Sequence, residues 1–395
     1  MKIWGVGGGS RAVRGDRLPA ADAAPARPLP STVEQPPPPV AESRKREALS
    51  TSGQRALHRL RREVPVDLRL NSEELRNAAD VTAVLQACAS AALREGAQPP
   101  KTLKLGPWGQ EADVCHGHST EDCDAPDAVV EAFLQLSPIW SEWALRSISI
   151  VELRGVAERA ALLGAAMRPS ALRVLRLQHV ALRGVLADCL EAFCAQPREL
   201  EMLDLSGNGL TDEDMAGLLA LMTPRGQGEA AALTLNGLTL SGNDAITCAS
   251  WQRLLALPPV RGSLRVLDLS ECSLGSLGGQ ILTQYLKEPT VLRDLSLYRT
   301  GLDLQSVLDL AAATCCLRSL DVTANAHHCE NWKEALGQPL VEALRSTPLK
   351  VLTLSCAEKL LQAASQLFEG LSTRVILVPN EQNNYNRLLF LGHDD

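Results

Sequence analysis

The sequence predicts an α/β solenoid: a curved stack of about ten strand-plus-helix units, with a parallel sheet on the concave side and helices on the convex side. Three observations predict it. First, the pattern L-x-x-L-x-L recurs along most of the chain at a central interval of about 28 residues. Second, amphipathic helical stretches follow the recurrences, as in 211–222, 276–287 and 303–314. Third, 45% of the 395 residues are hydrophobic but only 3% are aromatic, so the core must be built of Leu, Ala and Val. One strand and one helix cannot bury their own leucines; a stack of them makes a continuous core.

Taken in order, residues 1–43 hold 8 of the 23 prolines, including the run Pro36 to Pro39. Such a segment buries little apolar surface and is expected to be a disordered arm. Residues 44–63 change character, with Leu49, Leu57 and Leu60 at helical spacing among arginines. This basic segment reads as a short helix, or as an N-terminal cap on the repeats. The repeats fill 64–378. Two degenerate copies open them, PVDLRLNSEEL from Pro65 and PKTLKLG from Pro100. LRSISIVEL from Leu145 and LRVLRLQHVAL from Leu172 come next, and then the clearest copy, LEMLDLSGNGL, from Leu200. The series continues with LNGLTLSGN from Leu235, LRVLDLSECSL from Leu264, LRDLSLYRTGL from Leu292, LRSLDVTAN from Leu317 and LKVLTLS from Leu349. The second and sixth units are stretched. A last strand is expected at 374–378, and 379–395 as a polar cap or tail.

Within each unit the alternating leucines point one way from a short strand and the intervening residues the other. Asn208, Asn243 and Asn325 stand where the chain turns after the strand, and their amides suit backbone groups left unpaired by the bend. Val180, Cys272 and Thr300 take that place elsewhere. Thr211 followed by Asp214 has the spacing of a capping box. These residues resemble the ribonuclease-inhibitor type of leucine-rich repeat, over roughly 64–378. The resemblance implies a horseshoe. It leaves the activity open, because that family includes enzyme inhibitors, GTPase activators, innate-immune sensors and structural adaptors.

Charge is unevenly placed. Residues 1–63 carry 12 Lys/Arg against 6 Asp/Glu, and the rest 27 against 40, so a basic arm precedes a body of net charge −13. An acidic body argues against a general nucleic-acid surface, because phosphate neutralisation needs concentrated Lys and Arg. No run of about 18 apolar residues is present, so no membrane-spanning helix is expected. The opening residues lack the apolar stretch of a secretory signal. The eleven cysteines are irregularly spaced, and no Asn-x-Ser/Thr acceptor occurs. These features imply an intracellular, cytoplasmic setting, with the basic segment 44–62 as either a nuclear address or a solvated helix face.

The concave positions form the expected binding surface. Arg176 lies in its mildly basic first half, and Asp204, Asp268, Asp294 and Asp321 lead into an acidic second half. Tyr298 offers a central aromatic anchor, with Glu271 and Arg299 at the rim. This surface is expected to receive a basic patch of a protein partner. The plainer alternative is that Leu-Asp-Leu-Ser is solvated solenoid filler. Two Cys/His groups, Cys115, His116, His118 with Cys123, and His327, His328 with Cys329, lack familiar zinc spacing, and neither is taken as a metal site. The glycine string at 5–10 lacks the strand–loop–helix setting of a phosphate loop. No Ser/His/Asp, Cys/His or paired-carboxylate set assembles, so no enzyme activity and no cofactor are expected. The reading that results is a monomeric, non-catalytic adaptor or scaffold. The alternative is an enzyme regulator, an inhibitor or a Ran-type GTPase activator.

Overall fold

A computed structural model describes residues 51–60, 67–70, 78–92, 99–106, 126–153, 155–168, 171–224, 226, 232–313, 316–325, 332–356 and 365–379. The chain divides into two units, Met1–Arg46 and Glu47–Asp395. The first unit lies outside the described residues, as do both Cys/His groups and the tail from 380.

The second unit begins with α1 (Thr51–Leu60), β1 (Asp67–Leu70), α2 (Ala78–Ala92) and β2 (Thr102–Leu105). Two helices, α3 (Pro126–Gln135) and α4 (Ser137–Trp140), precede β3 (Ser147–Val151). Then come α5 (Ala160–Met167), β4 (Val174–Gln178), α6 (Leu186–Phe193), β5 (Arg198–Leu200), β6 (Met202–Asp204) and α7 (Asp212–Met222). They are followed by β7 (Leu233–Leu235), β8 (Gly237–Thr239), α8 (Cys248–Ala256), α9 (Pro258–Ser263), β9 (Val266–Asp268) and α10 (Gly275–Lys287). The last elements are β10 (Asp294–Ser296), α11 (Leu304–Ala313), β11 (Ser319–Asp321), α12 (Trp332–Arg345), β12 (Val351–Cys356) and β13 (Arg374–Pro379).

Eleven strands form one parallel sheet in chain order, β1-β2-β3-β4-β6-β8-β9-β10-β11-β12-β13. Each unit start read from the sequence carries one of these strands, and β13 covers the expected last strand. The remaining two, β5 and β7, make a separate parallel pair just ahead of β6 and β8. The alternation of the sequence is what buries one face. Leu68, Leu103, Ile148, Leu175, Leu203, Leu238, Leu267, Leu295, Leu320 and Leu352 stand in register, and none is more than 3% exposed. Each such side chain contributes about 2 kcal/mol on burial.

The helices close the other side of this core. Leu186, Cys189, Leu190 and Phe193 of α6 are buried at the i, i+3, i+4, i+7 spacing of an apolar helical stripe. Helix α5 approaches α6 so closely that a Cβ on Gly164 would lie 2.0 Å from the Cys189 carbonyl oxygen, which is why glycine stands there. Helix α1 packs on α2, with Ala56 and Leu60 buried and Arg55, His58 and Arg59 exposed. The N-terminus of α7 has the expected cap: the Asp214 carboxylate accepts from the Thr211 N–H at 2.9 Å and from its hydroxyl at 3.0 Å. Its other oxygen accepts from the Gly184 N–H at 2.7 Å, tying this helix to the unit before it.

The turns that end the strands are tied across units. Glu152, His179, Gly207, Gly242, Glu271, Arg299 and Ala324 occupy the same place in successive units, and all have φ between 50° and 69°. This left-handed conformation suits glycine and costs other residues about 1 kcal/mol. It is held because each N–H donates to the next unit, as Gly207 does to Ser241 O and Arg299 to Thr323 O. The asparagine one residue later completes the link. Asn243 is fully buried; its amide donates to Leu240 O at 2.7 Å and Leu205 O at 3.1 Å. Its oxygen accepts from the N–H groups of Asn208 and Leu210, at 3.1 and 3.0 Å. Asn208 and Asn325 are bonded in the same manner. Cys272 and Thr300 donate part of the same set, to Leu240 O and Leu297 O.

Candidate protein-interaction face

The strand positions that do not enter the core lie in two registered rows. One runs Asp67, Thr102, Ser147, Val174, Met202, Val266, Asp294, Ser319, Val351, with Gly237 between Met202 and Val266. The other runs Arg69, Lys104, Ser149, Arg176, Asp204, Thr239, Asp268, Ser296, Asp321, Thr353. Four of the eight residues singled out from the sequence therefore share a row: Arg176, Asp204, Asp268 and Asp321. Asp294 lies in the neighbouring row. Tyr298 comes two residues after β10 and is half-buried, while Glu271 and Arg299 occupy the left-handed turns. Asp268 and Asp321 flank Ser296, so they are two strands, or about 10 Å, apart.

The row is less open than alternation alone suggests. Asp204 and Asp321 are only 2% and 8% exposed. One oxygen of each acidic side chain is committed to its own turn. Asp204 accepts from the Ser206 N–H and hydroxyl at 3.0 and 2.6 Å, and Asp321 accepts from those of Thr323 at 2.9 and 2.8 Å. Asp268, half-buried, does the same with Ser270 at 2.9 and 2.5 Å. The Ser270 hydroxyl is then donated to Asp268, so Ser296 donates to it across the strand at 2.8 Å. The second oxygen of Asp204 accepts from the Gln178 amide at 2.5 Å. An Asp-x-Ser/Thr sequence thus closes the strand end, and the carboxylates are turn fasteners as well as charges.

Burial raises the Asp321 carboxyl above its ordinary value; the Thr323 N–H and hydroxyl oppose this, and the charge of Asp268 adds to it. Burial likewise raises Asp294, against the pull of Arg318 and Arg293. The folded state therefore holds the Asp321 proton more tightly than the unfolded chain does, so stability falls as pH rises from the usual carboxylate value through the raised one. Asp321→Asn keeps an oxygen for Thr323 and removes the buried charge. The variant is expected to match or exceed the parent at pH 7, with the difference shrinking toward pH 4, as measured by urea unfolding across that range. A loss of stability at pH 7 that persists at pH 4 would contradict this account.

Among the described residues, no group of three or more His, Cys, Asp or Glu is placed to hold a metal ion. The thiols of Cys88 and Cys189 are pushed up to about 12 and that of Cys194 to about 11, foremost by burial. They are protonated at neutral pH and make poor nucleophiles. Gln178 and Ser270 belong to the face but were not singled out from the sequence. The recurring D-x-[ST] triplet is the signal that finds Ser270.

No family model matches this chain. No curated protein matches it either. Among solved structures it is similar to Rad7, from the crystal structure of the Rad7 and Elc1 complex in yeast, at 14% identity and a TM-score of 0.46, covering 81% of this chain and 75% of that one. No helix among the described residues is long and apolar enough to cross a membrane.

Proposed function

We propose that this chain is a non-catalytic protein-recognition scaffold that receives its partner on the polar face of the eleven-stranded sheet. The observation that carries the reading is the face itself: one in-register row of polar side chains beside a row of mixed polar and apolar ones, held by cross-strand and turn hydrogen bonds before any partner arrives. A surface fixed in advance avoids most of the ordering cost of association. In its finer form the scaffold is a ribonuclease-inhibitor-like horseshoe of about ten units, monomeric and cytoplasmic, with this face concave. The acidic half meets a basic patch, Tyr298 is the anchor, Arg299 and Glu271 form the rim, and Arg176 marks the basic half. Asp204, Asp268 and Asp321 add charge while fastening their turns.

The test uses residues whose replacement leaves those turns closed: Glu271→Lys, Asp294→Lys and Tyr298→Ala, combined in the full chain. Affinity capture from cell extract is compared between parent and variant, with circular dichroism to verify the fold. Loss of the parent's retained partner from the folded variant is the expected result. Equal retention by both would remove the face from the function. If the captured partner is an enzyme whose turnover changes on binding, the chain is a regulator rather than a scaffold.

A further inference from the structure

A different surface lies at the edge where the strands begin. The residue just before each of nine consecutive strands of the main sheet forms its own row: Lys101, Arg146, Arg173, Glu201, Asn236, Arg265, Arg293, Arg318 and Lys350. Backbone bonds hold the row in register. Arg146 N–H donates to Lys101 O, Arg173 to Arg146, Arg265 to Asn236, Arg293 to Arg265, Arg318 to Arg293 and Lys350 to Arg318, at 2.6 to 2.8 Å. Seven of the nine are cations. Lys and Arg make up only 39 of the 395 residues, and the chain carries a net charge of −7, so composition alone does not supply such a run.

Like charges directly across neighbouring strands oppose one another, and Arg265, Arg293, Arg318 and Lys350 succeed one another without interruption; Asp294 offsets part of this repulsion at Arg293 and Arg318. Three of these are exposed and Arg293 is half-buried. Arg261, on the helix before β9, shows the contrary case: its guanidinium meets Glu288 at 2.9 Å and lies over the Tyr285 ring. At the other end of the row, Arg173 is 3.9 Å from Glu199, with both side chains more than half exposed.

We propose that the stretch Arg265–Arg293–Arg318–Lys350 docks an acidic, extended peptide segment of a protein partner. At about 4.8 Å between strands the four positions span about 14 Å. Five or six residues of extended peptide cover that length at about 3.3 Å each, with alternate carboxylates on one side. Three of the four cations are arginines, whose planar fork pairs with a carboxylate through two parallel hydrogen bonds. The row is one residue wide. Asp294 comes directly after Arg293, Asp268 and Asp321 lie on the adjoining face, and Glu201 and Asn236 interrupt the cations. A long phosphate backbone would run onto these acids, whereas a short acidic segment fits between them. This surface is distinct from the face proposed above, and either stands without the other.

The probe is a fluorescein-labelled ten-residue peptide of alternating Glu and Thr, monitored by fluorescence anisotropy with the full chain at low and physiological salt. The parent is expected to bind it, and Arg265→Glu with Arg318→Glu to weaken binding at least tenfold. Arg183→Glu with Arg253→Glu, which changes the charge equally at exposed sites off the row, is expected to leave it within about twofold. If circular dichroism shows the reversal to be unfolded, Arg265→Gln with Arg318→Gln takes its place, with at least a threefold weakening expected. Absence of peptide binding, or equal weakening by on-row and off-row variants, overturns the proposal. So does unchanged binding in the on-row variant, which would assign the peptide to the basic segment at 44–62. Tighter binding of a ten-nucleotide oligothymidine that is lost with the same on-row variant would make the ligand a nucleic acid, and overturns it too.

Discussion

Asn243→Ala is expected to lower the stability of the repeat domain by about 4 kcal/mol, read as a shift in the urea midpoint. The side chain is fully buried and makes five hydrogen bonds to backbone groups, on its own unit and on the one before. Alanine leaves the N–H groups of Asn208 and Leu210 unmet in a dry interior, each at about 1–3 kcal/mol, while the Leu205 and Leu240 carbonyls keep a weaker set of donors in the Asn208 amide and the Cys272 thiol. The expected total lies near the middle of that sum. Asn243→Asp tests the mechanism. It retains an acceptor for Asn208 and Leu210 but loses both donors and buries a charge, so it is expected to be no milder than alanine. A midpoint within about 1 kcal/mol of the parent for the alanine variant would show that the ladder is not what joins the units.

Trp140→Ala is expected to cost at least as much, about 4 kcal/mol, the usual scale for emptying a large aromatic from a core. Trp140 is fully buried, its ring stacks on Phe133 with centroids 4.7 Å apart, and its indole N–H donates to Phe133 O at 2.9 Å. It therefore fixes α3 and α4, the two helices of the stretched second unit, as one body. Trp140→Phe keeps the stacked ring and leaves the Phe133 carbonyl without its donor, so a loss of about 1–2 kcal/mol is expected. Near-equal losses for the two variants would place the energy in the hydrogen bond rather than in the rings.

The strands were legible because period and alternation act together: a leucine at every second position, recurring at nearly constant intervals, has one way to be buried. The asparagine turns were legible for a similar reason, since a short amide at a bend has few other uses. The β5–β7 pair was not. Leu200 and Leu235 read as the first leucine of their units and do lie there, but the residues before them are also extended and pair with each other, which no local periodicity marks. Helix α9 was hidden in LPPVRGS, where prolines in the first turn begin a helix although they suggest a loop.

The candidate face was half legible. Alternation tells which way Asp204 and Asp321 point, and the structure agrees, but it does not tell how deeply they sit. Their depth depends on cross-strand neighbours and on the Ser or Thr two residues on. Asp294–Leu295–Ser296 shows the limit of the triplet as a signal, because Ser296 there bonds with Ser270 instead. The basic row was visible in the repeated Leu-Arg and Leu-Lys dipeptides. Its meaning emerges only when the backbone sets those residues side by side.

The turns that fasten each unit to the next have a mechanical consequence. Load applied between the two ends of the sheet is carried in series through the junctions, because each strand is bonded only to its neighbours. A single weak junction then sets the yield point, and the rest of the stack is spared until it gives. Each release pays out about 28 residues, or roughly 100 Å of slack at the reach of an extended chain. Under tension such a molecule lengthens in steps, a fuse at every bend, and a partner bound across several units acts as a splice that must fail before the bends beneath it.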